Sequence, residues 1–252
     1  MEWEITDVLF LSALASLVAF LYSSVGHGGA SGYLAILSLF SFPHDQMATS
    51  ALCLNLLVSG MAFSAFRKAG HFIWDLAWPF ILTSIPCAFL GGLLSVSGSH
   101  YAHLLASVLI FAAFRLIIEV KLAKEEKKIH SPPFLFSILL GAGIGVLSGI
   151  VGVGGGIFLS PLLILLHWAN PKQTAATSAF FIFVNSFSGL LGRTFRQNFE
   201  LHLSGVLVFM VLSAFVGGLL GSRLGAGRFS HQWLRLILAG VLILAAVKLL
   251  MI

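Results

Sequence analysis

Two glycine clusters carry the sharpest chemical signal in this sequence, Gly26-His27-Gly28-Gly29 and Gly152-Val153-Gly154-Gly155-Gly156. Glycine reaches positive φ without penalty and lets backbone approach a ligand closely. Each cluster stands directly before an apolar stretch, so free N–H groups and the positive end of a helix dipole face whatever lies ahead of it. Backbone presented in this way favours anions, as at the broken helices of secondary transporters. The competing reading is close helix packing through small residues. Consecutive glycines disrupt a helix more than packing requires, so Gly26, Gly28, Gly29, Gly152, Gly154, Gly155 and Gly156 are read as substrate-binding positions.

Thr49, Ser50 and Asn55 follow the first cluster, and Thr177, Ser178 and Asn185 follow the second. Hydroxyls and carboxamides donate to an oxyanion without carrying charge. Taken singly, each is explained by interhelical hydrogen bonding, worth about 0.6 kcal/mol; as a duplicated set beside the glycines they join the candidate site. His27 is the one titratable group placed where protonation would bias anion binding, although Val153 stands at its counterpart position and a structural histidine explains it equally well. Arg67 and Arg193 hold similar places at segment ends. Either would gather anions at a vestibule, but orientation in the membrane explains Arg67 more economically, and neither is assigned to the site.

Absences narrow the chemistry. Apart from Asp75, near a segment start, acidic residues sit at termini, loops or segment ends, whereas a cation carrier normally needs an intramembrane carboxylate. Nor is there a GxxxxGK[ST] phosphate-binding loop, so direct nucleotide drive is not expected, and neither cofactor nor metal is assigned. Gly29-Ala30-Ser31-Gly32 is a literal GxSG, the nucleophile pattern of intramembrane serine proteases, but the second half has Gly155-Gly156-Ile157-Phe158 there. The chain is not read as an enzyme.

These residues must be positioned by helices in lipid. Of 252 residues 58% are hydrophobic and 9% charged, with mean hydropathy +1.02, where a soluble domain carries about 25% charge. Apolar stretches of bilayer length recur throughout, so the fold class is an all-α membrane protein. The net charge of +5 lies in short loops, as topology determinants do, which excludes nucleic acid as the partner and leaves the bilayer and a small anion. Cys53 and Cys87 lie inside apolar segments and behave as small hydrophobes. Glu2, Glu4 and Asp7 flank the first apolar run with the wrong charge for a secretory leader, so that run is expected to stay as a mature segment.

Apolar segments fall near 5–25, 30–42, 47–66, 73–96 and 100–120, and again near 134–152, 155–168, 173–192, 201–222 and 231–251. The hydrophilic stretch 121–133 divides them into a first repeat, 1–120, and a second, 134–252. Ala88-Phe-Leu-Gly-Gly-Leu-Leu94 matches Ala214-Phe-Val-Gly-Gly-Leu-Leu220 at an offset of 126 (214 − 88), and Ala48-Thr-Ser-Ala51 matches Ala176-Thr-Ser-Ala179 at 128 (176 − 48). Duplication is therefore expected. Lys121, Lys124, Lys127 and Lys128 mark the 121–133 linker as cytoplasmic, and Arg67 with Lys68 does the same for the loop after the third segment. Both termini then lie outside, and the second repeat enters the membrane inverted. The second and seventh segments are too short to cross and are expected to be half-spanning or re-entrant, bringing the two glycine tips face to face near the midplane.

Gly152-Val-Gly-Gly-Gly156 followed by Ser160-Pro161, then Ala176-Thr-Ser-Ala179 and Asn185-Ser186-Phe-Ser-Gly189, resembles the TauE/SafE, or sulfite exporter, family of membrane transporters. The resemblance extends over essentially the whole chain. It implies a small sulfur-containing anion of the sulfite, thiosulfate or organosulfonate class, carried across a bacterial inner membrane by a secondary transporter. The first half departs from the triple-glycine form, with His27 and Ala30 where the second has Val153 and Gly156. A passive anion channel with the same lining is the alternative, and a non-transporting scaffold has little support, since long polar docking regions are missing.

Overall fold

A computed structural model of the chain describes residues 4–42, 44–96, 98–122, 129–196, 205–226, 242–244 and 246–251. The elements are α1 (Ile5–Ser23), α2 (Ala30–Leu39), α3 (His44–Lys68), α4 (Trp74–Leu93), α5 (Gly98–Leu122), α6 (Phe134–Val151), α7 (Gly156–Leu165), α8 (Pro171–Arg196) and α9 (Gly205–Ala226), followed by helical stretches 242–244 and 246–250. Among the described residues there is no strand. Six helices, α1, α3, α4, α6, α8 and α9, are long and apolar enough to cross a membrane. Their outward faces carry large exposed apolar side chains such as Leu139, Leu212 and Leu82, the pattern of a surface solvated by lipid. The linker lysines Lys124, Lys127 and Lys128 lie outside the described residues, as does most of the tenth apolar segment.

Small residues set the helix directions. On α6, Gly141, Gly145 and Gly149 lie one turn apart and abut the carbonyls of Phe80, Ser84 and Ala88 on α4. The order rises together, so the two helices run parallel. Gly217, Gly221 and Gly225 of α9 ascend in the same way along Ser16, Phe20 and Ser24 of α1. The α8 helix runs with α4, Ser188 donating to the carbonyl of Ile85 at 2.6 Å and Gly192 lying on that of Phe89. It runs against α3, where Gly60 meets Phe183, Asn55 meets Ser186 and Leu52 lies beside Gly189. Backbones approach this closely because glycine and serine leave no bulk between them, which is how helices associate where apolar burial gives no net driving force.

The short helices behave as their length predicts. α2 and α7 have 10 residues each, about 15 Å of rise, or half a bilayer core. The tip-to-tip arrangement expected of two hairpins is replaced by a different one. α1 and α6 continue to the level where α9 and α4 end, Ser24 lying against Gly225 and Gly149 against Gly91. The tips are consequently far apart: Gly26 turns at φ +77° against Ala175 near the start of α8, and Gly152 turns at φ +85° against Ala48 near the start of α3. Past each tip the cluster runs as non-helical chain, with several glycines at positive φ, to the start of α2 or α7. It is the far ends of the clusters, where α2 and α7 begin, that come together.

Candidate functional site

One side chain joins the two broken helices. Asn55, in the middle of α3, accepts the N–H of Ala30 on Oδ1 at 3.2 Å, and its Nδ2 donates to the carbonyl of Val153 at 3.2 Å and to the hydroxyl of Ser186 at 3.0 Å. The first bond holds the N-terminus of α2 and the second holds the loop that leads into α7. A side chain at residue 28 would collide with Oδ1, and one at residue 154, where φ is +72°, would collide with Nδ2. Gly28 and Gly154 are therefore required by the amide they touch.

A second polar chain links the halves. The Nδ1 of His27 faces the carbonyl of Val25 at 3.0 Å, and since a carbonyl only accepts, Nδ1 bears the proton. Nε2 lies 2.8 Å from the hydroxyl of Ser160 on α7, which is 2.7 Å from both the Gly156 carbonyl and the Ser178 hydroxyl. With neutral His27, Ser160 donates to Nε2. With His27 protonated, Nε2 donates and Ser160 turns its proton to Gly156. Both states find partners by rotation of one hydroxyl.

The remaining predicted residues divide. Thr49 and Thr177 are buried beside the two tips, each with a hydroxyl that has no hydrogen-bond partner, and so is the hydroxyl of Tyr33, one turn on from Gly29 and lying against it. Buried polar groups are normally satisfied, so these unused donors are available to a ligand. Ser50 is buried. Gly29 and Gly155 hold left-handed conformations as the N-caps of α2 and α7, and Gly156 opens α7 beside Ile182. Asn185 does not join the junction: its Nδ2 donates to Phe181 of its own helix at 2.8 Å, leaving Oδ1 buried and unpaired. An orphan acceptor is not what an anion recruits. Ser160, Ser186 and Tyr33 were not singled out for binding, although the two serines stand within the motif Ser160-Pro161 and the run Asn185-Ser186.

The GxSG serine is engaged elsewhere. Ser31 lies 2.7 Å from the hydroxyl of Tyr22, while the His27 ring is engaged by Val25 and Ser160. Arg193, which the sequence places at a segment end and leaves out of the site, is buried and donates to the carbonyls of Gly149 and Ile150; Arg67 is exposed and stacks over Phe63.

Two broken helices are thus joined at the centre of a bundle of crossing helices. The profile of the family described as "Sulfite exporter TauE/SafE" matches residues 11–249. The chain belongs to that family. A relative from Sinorhizobium fredii, named "Probable membrane transporter protein y4hK", is 33% identical over 248 residues, covering 97% of this chain and 99% of its own. A "Probable membrane transporter protein" of Haemophilus influenzae is 27% identical over 198 residues, 73% of each chain. No solved structure matches. As a TauE/SafE protein the chain is a multi-pass membrane transporter, and the glycine clusters, Asn55 and the His27–Ser160–Ser178 chain all lie within the matched region.

Proposed function

We propose that this protein is a secondary carrier of a small sulfur-containing anion, of the sulfite, thiosulfate or organosulfonate class, across a bacterial inner membrane. The observation that carries the reading is Asn55, which ties the N-terminus of α2 and the loop entering α7 to one point between α3 and α8. Two half-spanning helices then begin at the middle of the bundle with their positive dipole ends inward. Substrate lies against these N-termini and the adjoining glycine backbone, with the unused donor of Tyr33 beside Gly29, while those of Thr49 and Thr177 stand at the two outer turns. Ser50 and Ser178 complete the lining, and Asn185 is left to its own helix.

In this reading residues 1–120 and 134–252 are inverted repeats joined by a cytoplasmic linker, with both termini outside. Its support is reciprocity: Gly26 rests on Ala175 and Gly152 on Ala48, while α3 and α8, at corresponding places in the two halves, run antiparallel. Alternating access is rocking of one bundle against the other around the fixed junction.

The test is uptake of radiolabelled sulfite, thiosulfate and methanesulfonate into proteoliposomes. Saturable uptake of one of them is expected, falling at least roughly tenfold in Asn55→Asp, which loses both donors and adds a negative charge where the anion sits. Unitary currents in place of saturation would make the protein a channel, and a fully active Asn55→Asp protein would remove the site.

A further inference from the structure

Beyond the glycine junction, a cavity of about 320 Å³ lies where α4, α6 and α8 end and α5 begins, its lining including Ser95, Gly98, Tyr101, Ile150, Arg193 and Arg196. That is roughly the volume of ten liquid waters. We propose that it is a separate binding site for a small oxyanion, in which Arg193 is the ligand-binding cation and Arg196 the charge at the rim. The class of ligand rests on the anion-carrier reading; the site itself rests on the cavity and its charges.

Arg193 is only 4% exposed. A guanidinium so buried is ordinarily paired with a carboxylate, yet among the described residues its partners are the carbonyls of Gly149 and Ile150, both bonded through Nη2, while Nε has none. Capping the end of α6 explains Nη2. It does not explain a buried N–H left empty beside a polar cavity. Arg196 donates to the carbonyl of Leu94 at 2.6 Å and is held at the same end of the bundle. Asp75, the acid at the start of α4, is at the helix's other end. The cavity thus carries two positive charges and the N-terminus of the 25-residue α5, and a planar guanidinium suits sulfonate or sulfite oxygens.

The cavity also touches the junction from outside it. Tyr101 donates to the carbonyl of Val151 at 3.1 Å, one residue before the turn at Gly152. An anion held by Arg193 would wait behind the second glycine loop, on the side of the membrane where α4, α6 and α8 end.

The experiment is anion protection of a cysteine. Ser95, exposed at the cavity, is replaced in full-length protein carrying Cys53→Ala and Cys87→Ala, and the rate of Ser95→Cys alkylation by iodoacetamide is followed against methanesulfonate, with chloride at equal ionic strength as control. Methanesulfonate is expected to slow alkylation saturably, chloride not. The half-protecting concentration should rise roughly tenfold or more in Arg193→Gln and by less in Arg196→Gln, both in monodisperse protein. Should Arg193→Gln fail to fold, the Arg196→Gln shift decides. Protection must persist in Asn55→Asp, which disables only the junction, so that loss of transport there leaves the cavity site standing. Absence of protection, or protection unchanged in the arginine variants, overturns the proposal; protection lost in Asn55→Asp but kept in Arg193→Gln assigns the effect to the junction and overturns it equally.

Discussion

At the scale of residues, the site is built from neutral donors, and its one imidazole is His27. Its ring stands between a carbonyl and the Ser160 hydroxyl, and Tyr22 lies edge-on with ring centroids 6.5 Å apart. Protonation reverses the Nε2–Ser160 bond, and the Ser160 hydroxyl turns its proton to the Gly156 carbonyl. His27→Gln, which keeps a hydrogen-bonding amide but carries no ring proton, should flatten the pH profile of uptake relative to the native protein. An unchanged profile in the variant would make His27 a structural residue. Asn55 teaches a related lesson, since the crossing of α3 and α8 has room for one amide, and Ser186 takes the facing place.

At the scale of elements, glycine does two different jobs. In the clusters it provides backbone conformations and room for Asn55. In α4, α6 and α9 it provides flat faces for parallel helices. Gly221 shows the second role: a side chain there meets the carbonyl of Phe20 and the Ser23 hydroxyl on α1. Leucine at that position should destabilise the α1–α9 contact by about 1–3 kcal/mol, as overpacking does, lowering the unfolding temperature of the purified protein. Gly143, on the exposed side of the same α6 that carries Gly141 and Gly145, has nothing within 4 Å of an added Cβ. Alanine there should raise stability by about 0.5–1 kcal/mol through helix propensity. Equal effects of the two substitutions would mean that composition, not contact, governs these helices. The cations follow a comparable division, for Lys172 donates to the end of α9 at Gly225 and Lys248 to the end of α2 at Ser38 and Leu39. Each places positive charge at the negative end of a helix dipole.

At the scale of the whole molecule, α4 packs with α6 and α8, and α9 with α1 and α3. Each proposed repeat thus lends its fourth helix to the bundle of the other. Such an exchange ties the halves together and places the α3–α8 crossing at the centre, where a rocking motion would pivot. Orientation follows from the loop cations and is open to labelling. In cysteine-free protein, Ala69→Cys in the loop after α3 should react with a membrane-impermeant maleimide only when the cytoplasmic face is exposed, and Gly205→Cys at the start of α9 only from outside. Both positions are exposed. The reverse pattern would invert the topology while leaving the fold intact.

The sequence by itself determined the solvent, the helical class, the lengths of the crossing and half-crossing segments, and the places where helices break, because these depend on local composition and on glycine's own backbone freedom. The expected segments 5–25, 30–42 and 134–152 needed only shifts of a few residues at their ends. Tertiary structure alone decided which polar groups meet. The bonds of Asn55 to Val153 and Ser186 and of Ser160 to His27 join residues 98, 131 and 133 apart, and they exist only where helices cross at one depth and azimuth. For the same reason Asn185, equally polar and as prominent in sequence, turns back to its own helix, and Arg193 is drawn inward to the end of α6 while Arg67 stays in water. Composition assigns a side chain to lipid or to the interior; the packing of distant backbones, set here by glycine faces, assigns its partner.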